Sequence, residues 1–535
     1  MRYSIQTNKI TGKDWLRYHP YSNATFIDNY YVELCNKVLK IIHQSEIVDF
    51  LFNQKEEKAL ACILVAYFED VISETRLFST FTRLHKKMYG KELPFYEISD
   101  DYCGDDINLH DIFFLIWYLM SINDLDEMIL DPYFENSQKF YEAASEIYNL
   151  FDREFEKAPQ NENLQNFLQL SSDSDIKTVR EKLSFIAQDS FLWNPFFSDC
   201  LDEILDYYKE KGKIVLNERN NMQIYDQKIH FIFNECMPLL TLRATEYFAE
   251  ILGENHSKYQ FIKNISKRIF GSFLILKIES NGYLLEHLSS KKQLWLSNEF
   301  TTIDNDKIFE NKSVVSLGLV QWENDVWQNQ GICIIDNIRN MNEPENTKHI
   351  FDDENMKMEF THKLEKAFLE ITNGESIVYL SGSSEYATFN LEVAMKHAKI
   401  TDPTVTDEKL NKIYEHFVEG TEQNLPFEKE DPVGVFFNPN SGMEIYMDNV
   451  ISCMPNKNNP YYTNEKFDLS DLITITTFSK EFVNYIIDNK LINLCVYDYE
   501  NPDMHSIIMD NLDFLLRFYR RGQYFSKPEV TIKLK

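Results

Sequence analysis

At about residue 266 the apolar residues of this chain change their spacing, and that change limits what it can fold into. Before it they recur every three or four positions, as Val32, Cys35, Val38, Leu39 and Ile42 do, then Leu60, Ile63, Tyr67 and Val71. That period lines them along one face of a helix. After it, short apolar runs alternate with turn residues: Phe273–Ile278, Tyr283–Leu285, Gln293–Leu296, Ser313–Trp322 and Val326–Asp336. Five such runs within about 65 residues predict a small antiparallel sheet or barrel. Asn281-Gly282 lies between the first two, and both residue types tolerate positive φ, so a type I′ hairpin turn is expected there. Gly331, just before an apolar run, marks a bulge or a sharp entry into the strand.

The expected class is therefore α+β and multidomain, with a helical N-terminal half, a small antiparallel β-sheet or barrel in the middle, and an α+β C-terminal module. Residues 1–265 form one or two helical domains. Residues 266–340 form the β-domain, separable from the helices before it. Residues 341–357 are a polar linker, and 358–535 the last module. A chain of 535 residues exceeds the size at which one core keeps growing, which agrees with several domains.

Punctuation supports this division. Asp28 is the expected N-cap of the first long helix. The helix carrying Leu77, Phe81, Leu84 and Met88 should stop at Gly90, with Pro94 beyond it. Asp105 or Asp106 can cap the next, whose Phe113–Met120 stretch is apolar all round and so belongs at a centre. Late in the chain, a strand at Ser376–Leu380 and a helix near 390–399 precede Val433–Phe437. The loop Asn438-Pro439-Asn440-Ser441-Gly442 then leads to Met443–Met447, in the manner of a tight turn closed by a left-handed residue.

The longest apolar stretch, Ile112–Met120, is far short of the ~20 residues a membrane span needs. The N-terminus has no apolar core of a signal peptide. Eight isolated cysteines, without a CxxC pair, behave as small apolar residues and point to a reducing compartment. A cytoplasmic location is expected, with no membrane association.

The net charge of −31 opposes a whole-protein role on nucleic acid or anionic membranes, since its field repels phosphate. Between Glu97 and Glu156, sixteen acidic residues face two basic ones. Such a field attracts a basic protein partner, although a solvated helical face would look the same. Within it, Asp100, Asp101, Asp105 and Asp106 surround Gly104 but lack the spacing of an EF-hand. Basic residues gather at Lys258, Lys263, Lys267, Arg268, Lys291 and Lys292. Near the end Arg517, Arg520 and Arg521 interleave with Phe518, Tyr519 and Tyr524. Arginine with aromatics suits single-stranded nucleic acid, and equally an amphipathic helix. Trp295, Trp322 and Trp327 are three of six tryptophans, so one or more can serve a partner surface.

Catalytic signatures are missing: neither GxxxxGK[ST], GxGxxG, HExxH nor GxSxG occurs. Ser381-Gly382-Ser383-Ser384 reads as a strand-ending turn, and the SxxK pairs at Ser174/Lys177 and Ser289/Lys292 lack their partner motifs. Glu415, His416 and Glu419 share a helical face and are the residues to check for a site assembled from distant parts of the chain. No cofactor or metal is expected.

Two stretches carry a resemblance: Asp14-Trp15-Leu16-Arg17-Tyr18-His19-Pro20-Tyr21, and Phe436-Phe437-Asn438-Pro439-Asn440-Ser441-Gly442-Met443-Glu444-Ile445. Together they resemble a bacterial family, met mainly in Bacteroidetes and known as a domain of unknown function. The resemblance would span most of the chain, and it implies no activity and no catalytic residues. On the residues, the leading expectation is an interaction or scaffold protein with basic protein partners. An enzyme with a dispersed site, or a nucleic-acid-associated protein of a defence or mobile-element system using local basic patches, are the alternatives.

Overall fold

The computed structural model describes residues 9–45, 47, 53–96, 98, 102–123, 137–210, 218–298, 313–323, 326–337, 354–406, 408–410, 431–475, 477–496 and 504–523. The chain divides into two compact units, residues 1–350 with 506–535, and residues 351–505.

The first unit is helical through residue 263. Its helices are α1 (Gly12–Trp15), α2 (Phe26–Gln44), α3 (Gln54–Ile72), α4 (Leu77–Tyr89), α5 (Leu109–Asn123) and α6 (Ser137–Glu154). Next come α7 (Glu162–Leu168), α8 (Ile176–Ser184), α9 (Asn194–Glu210), α10 (Glu218–Asn234), α11 (Ala244–Leu252) and α12 (Tyr259–Lys263). The stop at Gly90 is as expected, with φ of 80°. The start of α2 needs a correction. Thr25 is the N-cap, and Asp28 is the third helical residue, returning its carboxylate to the Thr25 N–H and hydroxyl at 2.6 and 2.7 Å. As its composition implies, α5 is central: Phe81 stacks on Phe114, and Trp117 packs on Phe518.

Phe518 belongs to the helix Leu512–Tyr519, which lies in this unit although the sequence assigned it to a C-terminal module. Its polar residues are stitched in as well. Arg517 pairs with Asp513 at 2.8 Å and donates to the Thr241 hydroxyl, while Asn511 accepts from the Phe95 N–H.

Five strands follow α12: β1 (Ile269–Glu279), β2 (Gly282–His287), β3 (Gln293–Ser297), β4 (Ser313–Glu323) and β5 (Val326–Asn337). They close into a barrel in the order β1-β2-β3-β5-β4. Phe273, Leu285, Leu296, Val315, Leu317 and Leu319 are buried within it. The first hairpin pairs antiparallel as expected, from Phe273 opposite His287 to Glu279 opposite Gly282. Two details differ from expectation. The barrel is not wholly antiparallel, because β3 and β5 pair in parallel where it closes. Nor does the turn centre on Asn281-Gly282: its middle residues are Ser280 and Asn281, Asn281 and Gly282 do not have positive φ, and Gly282 opens β2.

Gly282 is needed for a different reason. A Cβ there would lie 2.3 Å from the Leu296 carbonyl oxygen and 2.8 Å from the Trp295 ring. Gly282→Val should therefore cost about 1–3 kcal/mol through overpacking, read as a lower urea midpoint at unchanged slope. A midpoint equal to wild type would count against this close approach. Gly331 does sit in a bulge, with φ of 110°, where the β4–β5 register slips between Leu317 and Leu319.

In the second unit, β6 (Ile377–Leu380), β7 (Val433–Asn438) and β8 (Gly442–Met447) form an antiparallel sheet in that order. Helices α13 (Glu354–Ile371) and α14 (Ser383–Thr401) cover it. Phe368, Phe389 and Val393 meet Leu380, Val435 and Phe437 in the core between them.

Candidate functional site

The segment Asp14–Tyr21 has two faces. Thr11 caps α1 reciprocally with Asp14, so the chain enters a short helix and continues as one 3-10 turn, Leu16–Tyr18. That places Trp15 and His19 inward, one helical turn apart, and Asp14 and Arg17 outward. Trp15 donates its indole N–H to Asp28 at 3.1 Å and stacks on Tyr31. His19 Nε2 donates to Glu69 at 2.7 Å, with both side chains buried. Asn161 Nδ2 donates to the other Glu69 oxygen at 2.9 Å and to the Tyr21 hydroxyl, which itself donates to Asp28. Burial alone would lower the His19 pKa, but the charge of Glu69 and its hydrogen bond raise it above the ordinary value. The polar atoms of this inner face are spent on one another. It fastens the segment down and offers nothing to a substrate.

The outer face lines a groove. One cavity of about 430 Å³ is walled by Lys9, Asp14, Arg17 and Lys58, with Tyr18 and Cys62 also on its surface. A second, of about 280 Å³, shares Arg17, Tyr18 and Lys55 with the first and continues to Asn194, Asp199 and Asp202. The Lys58 ammonium donates to the Lys9 carbonyl at 3.2 Å, so its charge is not neutralised by that bond. Arg17 makes no salt bridge or hydrogen bond among the described residues. Burial would raise the Asp14 pKa, yet Thr11's hydrogen bonds and the charges of Lys58 and Arg17 hold it below the usual carboxylate value. The local field is positive. Tyr18 is only 6% exposed, and its hydroxyl has no hydrogen bond among the described residues. Burial drives its pKa far upward, so at neutral pH it is a donor and not a base.

A larger cavity of about 1080 Å³ is lined by Phe95, Tyr96, His110, Phe113, Lys91 and Asp510, among others. Its charges oppose one another: Lys86 pairs with Glu92 at 2.5 Å, and Asp510 acts on Lys91. It has no excess of either sign, whereas the first cavity of the groove sets Lys9, Arg17, Lys55 and Lys58 against Asp14 alone.

The second quoted stretch is a structural hub. Gly442 takes φ of 97° to close the loop, and Asn438 Oδ1 accepts from the Asn440 N–H. Glu444 accepts from Asn438, Ser441, Tyr446 and Ser479 at 2.6–2.8 Å, which ties the loop to the helix Lys480–Asp488. Four donors fill the acceptor sites of that carboxylate, so its hydrogen bonds are spent within the fold.

The residues expected at partner surfaces are scattered. Asp100 and Asp101 lie outside the described residues, as do Glu415, His416 and Glu419. Asp105 and Asp106 are exposed, and neither caps α5, which begins at Leu109; the Asp106 carboxylate accepts from the Ile107 N–H ahead of that helix. Trp322 is buried against Phe233 and Phe261, in the seam between barrel and helices. Trp295 and Trp327 are half-buried, with the Trp295 ring over Gly282. The terminal basic patch needs correction. Arg517 is 1% exposed and Arg520 is also buried, while the Arg521 guanidinium stacks 3.9 Å from the Phe196 ring. Two of the three arginines therefore face inward, away from any nucleic acid. Arg268, assigned to the other basic cluster, is buried too.

Linear windows missed the groove because its cations come from residues 9, 17, 55 and 58. The spacing of Lys55 and Lys58, one helical turn apart on α3, was the signal available.

Residues 9–273 match the model of the family described as "Protein of unknown function (DUF3843)". The match contains Asp14–Tyr21 and every residue named for the groove, and it ends before Phe436–Ile445. No curated protein and no solved structure matches the chain.

Proposed function

We propose that this chain, which belongs to that family through residues 9–273, is an interaction protein of the cytoplasm that holds an anionic group, carboxylate or phosphate, in the Arg17 groove. One observation carries the reading: Lys9, Arg17 and Lys58 converge on one cavity of a chain whose net charge is −31. Held together without a carboxylate for each, such cations repel one another, and an anion relieves that repulsion. Arg17 supplies a planar fork of donors, and the protonated Tyr18 hydroxyl adds a donor. The site favours binding over catalysis, because the carboxylate in its first cavity, Asp14, is engaged by Thr11 and held below the usual carboxylate pKa.

The acidic remainder of the surface supports basic protein partners, through steering that weakens with salt. Cys103 is exposed and seven further cysteines are free, which supports a reducing compartment.

Titration calorimetry with inorganic phosphate and sulfate at low salt tests the groove. Arg17→Ala and Lys58→Ala should each weaken anion binding roughly tenfold, the worth of one charge-assisted hydrogen bond. Unchanged affinity in both variants, or no anion binding by the wild type, would overturn the reading.

A further inference from the structure

We infer that the groove takes a dipolar ligand, its acidic end against Arg17 and Lys58 and a cationic end, ammonium or guanidinium, against Asp199. A free amino acid or a short peptide has this chemistry. The inference rests on the proposed anion site and adds the second half of the groove to it.

The two cavities form one trough because Arg17, Tyr18, Lys55 and Ala59 line both. Their charge changes sign along it. At the first end stand Lys9, Arg17 and Lys58, and at the second Glu56, Asp199 and Asp202. The carboxylates at that end are not equally available. Asp202 is engaged by Lys55 at 2.9 Å, and Glu56 accepts from Asn53 at 2.6 Å. Asp199, projecting from α9, has no hydrogen bond or ion pair among the described residues and is half-buried. Burial and the neighbouring Glu203 and Asp202 raise its pKa, while Arg521 and Lys55 act the other way. A ligand cation arriving there would settle a carboxylate that its surroundings leave in excess negative charge.

Tyr18 is the independent pointer to a ligand. The residue is only 6% exposed, its hydroxyl lacks a hydrogen bond within the described residues, and it belongs to the walls of both cavities. A ligand bridging the two ends would pass over that hydroxyl and accept from its O–H. Volumes of about 430 and 280 Å³ lie near the lower end of small-ligand sites, which run to roughly 1,000 Å³.

The experiment titrates the full chain with an oligoglycine series, from glycine to tetraglycine, and with the N-acetyl form of each. Acetylation removes the cationic end and keeps the carboxylate. The best free peptide should bind about tenfold tighter than its acetylated form, the worth of one charge-assisted contact. Asp199→Asn should abolish that difference and leave the affinity for the acetylated peptide unchanged, whereas Arg17→Ala should weaken both. Equal affinity of free and acetylated peptides for the wild-type chain would overturn the dipolar reading and leave the anion site standing. That comparison needs no variant and so does not depend on how Asp199→Asn folds. Failure of every peptide together with phosphate and sulfate would overturn the anion site as well.

Discussion

Glu69→Ala is expected to lower the unfolding free energy of the helical unit by about 3–5 kcal/mol, the usual cost of removing one partner from a buried ion pair. Glu69 is 1% exposed, and its two oxygens accept from His19 Nε2 and Asn161 Nδ2. Without it, an imidazole buried among Trp15, Tyr21 and Asp28 loses the charge and hydrogen bond that raise its pKa against burial. The same network reaches α7 through Asn161, whose N–H donates to Ser73, so the loss spreads over three segments. Urea unfolding followed by tryptophan fluorescence reads it, since Trp15 stands beside His19. A variant within about 1 kcal/mol of wild type would mean the pair carries no more than an exposed one.

The pair also sets a pH dependence. His19 has a folded pKa above its unfolded value near 6.5, so its contribution is complete below about 6.5 and is lost as pH rises through the folded value. The stability gap between wild type and His19→Gln should therefore shrink as pH is raised past neutrality. A gap that widens with pH would show that His19 is buried neutral.

How much of this was legible in the sequence depended on distance along the chain. The periods of α2, α3 and α4, the stop at Gly90 and the pairing of β1 with β2 rest on neighbours, and these were read correctly. The turn was misplaced because a bulge at Leu276 takes up one residue of β1, and nothing in Asn281-Gly282 announces a bulge five residues earlier. The parallel β3–β5 contact joins strands far apart in the chain, through pairing that no local pattern encodes. Arg517 shows the same limit in a side chain. Its Asp513 partner, four residues earlier, was in plain view, but the Thr241 hydroxyl that completes its burial is 276 residues away. The groove follows this rule as well, since half its cations come from the N-terminal segment and half from α3.

Asp226→Ala should be comparably costly, about 3–5 kcal/mol, because it strands a buried arginine where the barrel meets α10. The Arg268 guanidinium, 4% exposed, pairs with Asp226 and donates from Nε to the Gln330 carbonyl at 2.7 Å. Its backbone is fixed by Asn234 of α10, which accepts from the Arg268 N–H and donates to its carbonyl. Asp226 also accepts from the Ile332 N–H, so one carboxylate of α10 holds both β1 and the bulge of β5. The arginine reaches that carboxylate by passing between two glycines. A Cβ at Gly318 would lie 2.2 Å from the guanidinium, and one at Gly331 would lie 2.7 Å from it. Gly318→Ala should accordingly destabilise by several kcal/mol in the wild type and by much less beside Arg268→Ala, since the clash goes with the arginine. A double-mutant cycle on urea unfolding measures that coupling, expected at about 1–3 kcal/mol. If Gly318→Ala costs the same in both backgrounds, Gly318 is not there for the arginine. The device also decides whether the barrel can stand apart from the helices. Residues 266–340 alone keep Arg268 and lose both Asp226 and Asn234, so the excised barrel should unfold at lower urea than the same strands within the full chain, and an equal midpoint would show that α10 contributes nothing to it.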